Sequence, residues 1–533
     1  MIRTGTSVTL LVIVSLLCTA GASFADLRHE LVPMDGGRPS LRLVKDGAEL
    51  VAPKRAPLYT DTPCEVTVRA EATPEGVLLH YRITNPTDEP ATIPVLQVGG
   101  ITLPGEGAEI VEPWQTIRFV KSKKLTPHRY YPGSIYSPVM GVRRGGTFVG
   151  TAAIYDLFGT MRSLRIEYDF DKATGWTLRY HFNARREGYR KVPGDDVLEP
   201  GKSLEATVSV GVAPAADPKW VTAFRAYRDH FKKTYGEPRY KRSVEPILAW
   251  PSSLASALSD ENPRGFLHNS GFRKGKRMDE VGWKFFGEFV EREAIDKGFR
   301  RLMIWNPTGL YREHRSHSMT WEIGTAWTEA QRETKEQFVE VCRRKDMSVG
   351  IWWGRATSVS GGFDSGHRHA FDPEDEDDWK ATFAEIDPLY EMGVRTIGMD
   401  ATSRGIRPRP DAWRPSSRVL FEQWFPRMTK RYPQMRWMVE PAANDYLHLW
   451  GSSFIYSDRC TGPRHFAEYL NPEQETNVVV KRSKIGRGKP RDAMQKMIDK
   501  YIEWGYTPLV FQTGFYPYEI DRETIEKRAG QEK

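Results

Sequence analysis

The chain reads as an all-β sandwich followed by an α/β domain of the (β/α)8 TIM-barrel type, and three observations predict this. From Asp26 to about Ala215 apolar residues recur with period two in short runs broken by turn residues. From Glu245 onward, short apolar runs alternate with long helical segments. Those runs number eight, the strand count of a closed parallel barrel, in a stretch of the length such a barrel needs.

Before the sandwich, Arg3 precedes an apolar run from Val8 to Leu17 and small residues ending at Ser23-Phe24-Ala25. This reads as a signal peptide over residues 1–25, too short for a membrane span, and it predicts a secreted or periplasmic protein. The sandwich is expected over 26–215, on runs such as Ser40–Val44, Glu65–Ala70, Gly76–Ile83, Thr177–Phe182 and Ser203–Val210. A linker helix is expected within 216–244, with its amphipathic part at Pro218–Thr234.

The barrel is expected over 245–533. Its strands are predicted at Pro246–Trp250, Arg301–Trp305, Ser348–Trp353, Arg395–Asp400, Met435–Glu440, Ser453–Asp458, Asn477–Val480 and Pro508–Gln512. Helix signals lie between them. Thr328-x-x-Gln331 is a capping box, Asp372-Pro373 reads as an N-cap with proline at N1, and Gly505 ends a helix whose apolar face carries Met494, Met497, Ile498 and Tyr501. No G-x-G-x-x-G follows the first strand and no P-loop motif occurs, so nucleotide binding lacks support and no cofactor is expected.

Composition narrows the function. With 39% hydrophobic and 27% charged residues, neither a disordered chain nor a polytopic membrane protein fits. Of four cysteines, Cys64, Cys342 and Cys460 lie beyond the signal, scattered and odd in number, which is not a disulfide framework. Export argues against a nucleic-acid partner for the +8 charge. The sandwich is nearly balanced in charge, so the excess belongs to the barrel, where basic clusters fall on expected βα loops: Arg273–Arg277, Arg312–His317, His367–His369, Arg404–Arg409 and Lys481–Arg491. Loops of this kind surround the catalytic mouth of a barrel, and together they suit an acidic carbohydrate, sulfated or uronate-bearing. His314, His317, His367 and His369 lack the helical spacing of a zinc site and are expected to be surface or substrate contacts, with no metal.

Catalytic groups of such barrels sit at the C-terminal ends of strands. Strand four ends at Asp400, strand five at Glu440 and strand six at Asp458. Carboxylates gathered at one opening are what glycoside hydrolysis needs, one as nucleophile or base and one held protonated as acid. Trp250, Trp305, Trp352 and Trp353 end strands one to three, where they are expected to meet sugar rings. Trp352 and Trp353 are adjacent and must point opposite ways. Asn306, Arg355, Arg404, Arg459 and Lys481 complete the expected substrate-binding set.

The runs Ile397-Gly-Met-Asp400, Met438-Val-Glu440 and Tyr456-Ser-Asp458, with Gly350-Ile-Trp-Trp353 on strand three, resemble the α-galactosidase (melibiase-like) clan of retaining glycoside hydrolases. The resemblance implies Asp400 as nucleophile and Asp458 as acid/base. Where that clan carries a pair of aspartates after strand two, this chain has Trp305-Asn306-Pro307, and where it carries a lysine on strand four, this chain has Gly398. Galactose is therefore not implied. Two alternatives remain: a glycosidase using Glu440 as a catalytic carboxylate, and a non-catalytic glycan-binding protein on a degenerate barrel.

Overall fold

The computed structural model describes residues 26–34, 39–53, 62–103, 107–114, 116–121, 128–132, 135–160, 162, 164–171, 175–182, 197–251, 253–254, 266–267, 282–284, 287, 290–305, 307–308, 322–344, 346–354, 358–360, 368–400, 419–440, 444–457, 460, 462–480, 491–511 and 523. The expected signal peptide lies outside them. The chain divides into two compact units, Met1–Thr234 and Tyr235–Lys533.

The first unit holds two seven-stranded antiparallel sheets. Leu27–Pro33, Pro39–Lys45, Ala48–Ala52, Leu96–Ile101, Gly175–His181, Leu164–Asp171 and His128–Tyr131 follow one another across one sheet. Glu65–Thr73, Gly76–Thr84, Ser203–Pro214, Thr147–Ile154, Val139–Arg144, Glu109–Pro113 and Ile117–Lys121 form the other. The period-two pattern sends Leu164, Ile166 and Tyr168 inward, and two tyrosines tie the sheets together. Tyr180 Oη lies 2.7 Å from Thr151 Oγ1, and Tyr168 donates to the Val111 carbonyl. The amphipathic segment begins as a 3-10 helix, Lys219–Phe224, and continues as the α-helix Arg225–Tyr235. Its aromatic face covers sheet two: Trp220 meets Phe119 and Phe148 at 5.0 and 5.5 Å, edge to face.

The second unit is a closed eight-stranded parallel barrel. Its strands are Ile247–Pro251, Arg301–Trp305, Ser348–Trp353, Thr396–Met399, Arg436–Val439, Gly451–Tyr456, Thr476–Val480 and Thr507–Phe511, in chain order, with the first paired to the last. Each coincides with one expected apolar run. The connecting helices include Glu329–Arg344, Glu376–Glu391, Phe425–Arg431, His465–Leu470 and Arg491–Glu503. The capping box forms as read: Thr328 N donates to Gln331 Oε1 and Gln331 N to Thr328 Oγ1, both at 3.1 Å.

Two details differ from the sequence reading. The helix after strand three starts at Glu376, not at Pro373: its N-cap is Asp375, whose side chain accepts from Asp377 N, while Asp372 Oδ1 accepts from Glu374 N in the turn before. Two Asx-type caps compete there and the later one wins. Between strands five and six only a 3-10 turn, Tyr446–Leu449, occurs among the described residues, because about ten residues cannot descend the barrel and also form a full helix.

Ile247, Ala249, Met303, Trp305, Trp352, Met438, Phe454, Val479 and Leu509 fill the interior. The lower end is closed by charge. Glu475, fully buried just before strand seven, takes Arg301 Nη1 at 2.9 Å and Arg436 Nη1 at 3.3 Å, and its Oε2 also accepts from Ser243 N at 3.1 Å.

Candidate active site

Strand alternation and register decide what faces the mouth. Trp305, Trp352, Met438 and Phe454 belong to the interior, and Gly398 packs against the Trp352 ring. Inward positions recur every second residue, so Asp400 and Glu440 also project inward, one step above Gly398 and Met438. Both extend the backbone ladder beyond the strands proper: Asp400 N donates to Trp353 O and Glu440 N to Met399 O, each at 3.0 Å. Because Met399 pairs with Val439, the two acids stand at the same level of neighbouring strands, with Cα atoms about 4.8 Å apart at the usual strand spacing.

Asp400 is 7% exposed, and Glu440 is half-buried. Tyr456, on strand six, donates its hydroxyl to Glu440 Oε1 at 3.0 Å. The Tyr456 hydroxyl thereby orients the Glu440 carboxyl group. Tyr456 was part of the Tyr-Ser-Asp run in the sequence, but its link to Glu440 was not read; the available signal was its place two residues beyond inward-facing Phe454.

The tryptophans take different positions. Trp305 and Trp352 stack on each other, ring centroids 4.4 Å apart at 12°, and Phe454 closes on Trp352 at 4.8 Å. Trp353 alternates away from the interior and is buried, 2% exposed. The backbone of Trp250 pairs with Ile304; its side chain lies outside the described residues. So do Asn306, Arg355, Arg404, Asp458, Arg459 and Lys481, and with them the loop clusters 273–277, 312–317, 404–409 and 481–490.

Two anchors hold the loops beside the mouth, and the sequence reading had neither. The excursion after strand two is pinched at its neck, where Thr308 Oγ1 donates to Glu322 O at 2.9 Å and Gln331 Nε2 to Pro307 O at 2.9 Å. Beside it, Glu385 accepts from Ile323 N, Gly324 N and Thr325 N at 2.7, 2.8 and 3.2 Å. Burial pushes the Glu385 carboxyl above its ordinary value, against the pull of those donors. After strand three, a hairpin of Ser358–Ser360 and Arg368–Ala370 places His369 Nε2 2.5 Å from the buried Asp378 Oδ1, with the His369 side chain 55% exposed. Among the described residues no group of three His, Cys, Asp or Glu could hold a metal ion, and no helix is long and apolar enough to cross a membrane.

Compared with protein-family models and with curated protein sequences, the chain matches none. Among solved structures it is similar to an α-galactosidase from Lactobacillus brevis, at 11% identity and TM-score 0.48, over 96% of this chain and 71% of that one. It is similar to an α-galactosidase from Thermus thermophilus at 13% identity and TM-score 0.44, over 94% of each chain. A Glycoside Hydrolase Family 97 enzyme from Pseudoalteromonas sp. strain K8, in complex with acarbose, aligns at 8% identity and TM-score 0.46, over 94% of this chain and 81% of that one.

Proposed function

We propose that the chain is an exported glycoside hydrolase that cleaves α-glycosidic bonds of an acidic oligo- or polysaccharide by a retaining double displacement. The observation that carries this reading is the mouth itself: Asp400 and Glu440 at one level of adjacent barrel strands, inward-facing, above an aromatic layer. In this reading an Asp400 carboxylate oxygen attacks the anomeric carbon while the glycosidic oxygen leaves with a proton from Asp458. Asp458 then takes a proton from water, the resulting hydroxide adds to the anomeric carbon, and Asp400 is released. Tyr456 positions Glu440 beside the reacting centre. The basic loops and the leader over residues 1–25 are the grounds for an anionic substrate and for export.

One observation favours a second assignment. The 399-to-439 register puts Asp400 and Glu440 at one level of neighbouring strands, which makes Glu440 a rival partner for Asp400.

Reducing-end release from a panel of sulfated glycans and their desulfated counterparts tests the proposal. Wild type should release sugar, Asp400→Asn should lose at least about 10³-fold in turnover while still binding, and the sulfated members should be preferred. Binding without turnover by wild type would identify a glycan-binding protein. Equal rates on desulfated substrates would remove the acidic part of the proposal. An Asp458→Asn variant as active as wild type, beside an inactive Glu440→Gln, would move the acid/base role to Glu440.

A further inference from the structure

The strand-two side of the mouth is held from behind, by residues that touch no reacting group. Register gives its level. Trp305 pairs with Trp352 and Trp352 with Gly398, so the next inward positions upward are Pro307, Gly354 and Asp400, with Glu440 beside them on strand five. The chain leaves the barrel just above that level, at Thr308, and comes back to it at Glu322. The stretch between carries the basic run Arg312–His317, one of the clusters expected to meet an acidic substrate.

The two ends of this stretch are clamped together and then to a helix. Gln331 Nε2 donates to Pro307 O and Thr308 Oγ1 to Glu322 O, each at 2.9 Å. Directly after Glu322, the N–H groups of Ile323, Gly324 and Thr325 converge on Glu385 at 2.7, 2.8 and 3.2 Å, and the Thr325 hydroxyl donates to its other oxygen. Gly324 lies so near the helix that a Cβ there would stand 2.3 Å from the Glu385 carbonyl oxygen. Thr308 and Gln331 are fully buried and Glu385 is 7% exposed, so these donors have no water to turn to when a partner is lost. Apolar packing would close such a neck about as stably, because burying a carboxylate costs much of what its hydrogen bonds return. What the hydrogen bonds add is a fixed distance from helix to strand end.

We propose, on the footing of the glycosidase reading with its acidic substrate, that Glu385 and Thr308 are positioning residues for substrate binding. They fix the points where the strand-two loop leaves and rejoins the barrel, and with them the approach of an anionic substrate group to that loop. The test measures KM and kcat of the full chain on a sulfated glycan and its desulfated counterpart. Thr308→Val removes one hydroxyl donor at nearly constant volume; it should raise KM for the sulfated glycan about tenfold, leave kcat within about twofold, and raise KM for the desulfated one by about threefold or less. Thr308→Ser, which keeps the donor, should restore the wild-type ratio. Glu385→Gln should act in the same direction and more strongly, by up to about 100-fold in KM. Unchanged KM in both Thr308→Val and Glu385→Gln, equal rises on the two glycans, or failure of both variants to fold overturns the positioning role and leaves the glycosidase standing. Equal wild-type KM on the two glycans overturns it together with the acidic substrate. No turnover by wild type overturns the glycosidase reading and this inference with it.

Discussion

The two ends of the barrel both bury charge, in opposite ways. At the lower end Glu475 lies between Arg301 and Arg436 and takes a backbone N–H besides, so each of its oxygens is answered. At the upper end two acidic side chains, Asp400 and Glu440, stand on adjacent strands, and Tyr456 donates its hydroxyl to Glu440. Two acidic side chains gathered over an apolar layer add less to stability than the ion pairs below, and the fold keeps them at the one place where barrels perform chemistry. The lower end stabilises; the upper end is held in place by the rest. This contrast is what mutation should expose.

The largest stability effect is expected at the lower end. Glu475→Ala leaves the buried Arg301 guanidinium and the half-buried Arg436 one without their carboxylate, and breaking a buried pair in this way costs about 3–5 kcal/mol. Chemical denaturation should show that loss, while kcat of the protein that remains folded stays near wild type. A large fall in kcat at unchanged stability would erase the division between the two ends.

Next comes an acid limit set by the same lower end. His448, fully buried in the 3-10 turn before strand six, has its imidazole held down to about 3 by burial first and then by the Arg464 charge. The folded protein therefore refuses a proton that the unfolded chain accepts near the ordinary value of 6.5. Stability from this group is complete above about 6.5 and is lost as pH falls from there towards 3, by about 5 kcal/mol in total. His448→Gln should flatten that part of the stability profile; an unchanged profile would show that His448 is not its source.

A smaller effect is expected at the floor of the mouth. Gly398→Ala drives a methyl group into the Trp352 ring, an overpacking worth about 1–3 kcal/mol, and it tilts the aromatic layer beneath Asp400. Melting temperature and the intrinsic fluorescence of the tryptophans should both shift. If neither moves, the floor is looser than the 4.4 Å stack implies.

The eight strands were legible because each is a short apolar run beginning or ending at charged or turn residues, and the capping box at Thr328 and Gln331 was legible because its signal is local. What escaped depends on distance along the chain. Glu475 and Arg301 are 174 residues apart and Glu475 and Arg436 are 39 apart, so nothing local marks them as one cluster. The tryptophans were expected at strand ends and are there, but that Trp305 and Trp352 stack on each other follows only from register. The N-cap at Asp375 escaped for another reason: Asp372, Asp375 and a proline offer competing local caps, and tertiary packing chooses between them. Asp400 and Glu440 were legible as strand-ending acids, whereas the Tyr456 contact needed the barrel to close.

The most direct measurement pairs turnover with melting temperature for Asp400→Asn. The account predicts that turnover falls by at least about 10³-fold while stability stays level or rises by up to about 2 kcal/mol, because a carboxylate held for chemistry is replaced by a neutral group of the same shape. A variant that keeps its turnover, or that loses it only by melting several degrees lower, would contradict the claim that this mouth is the active site.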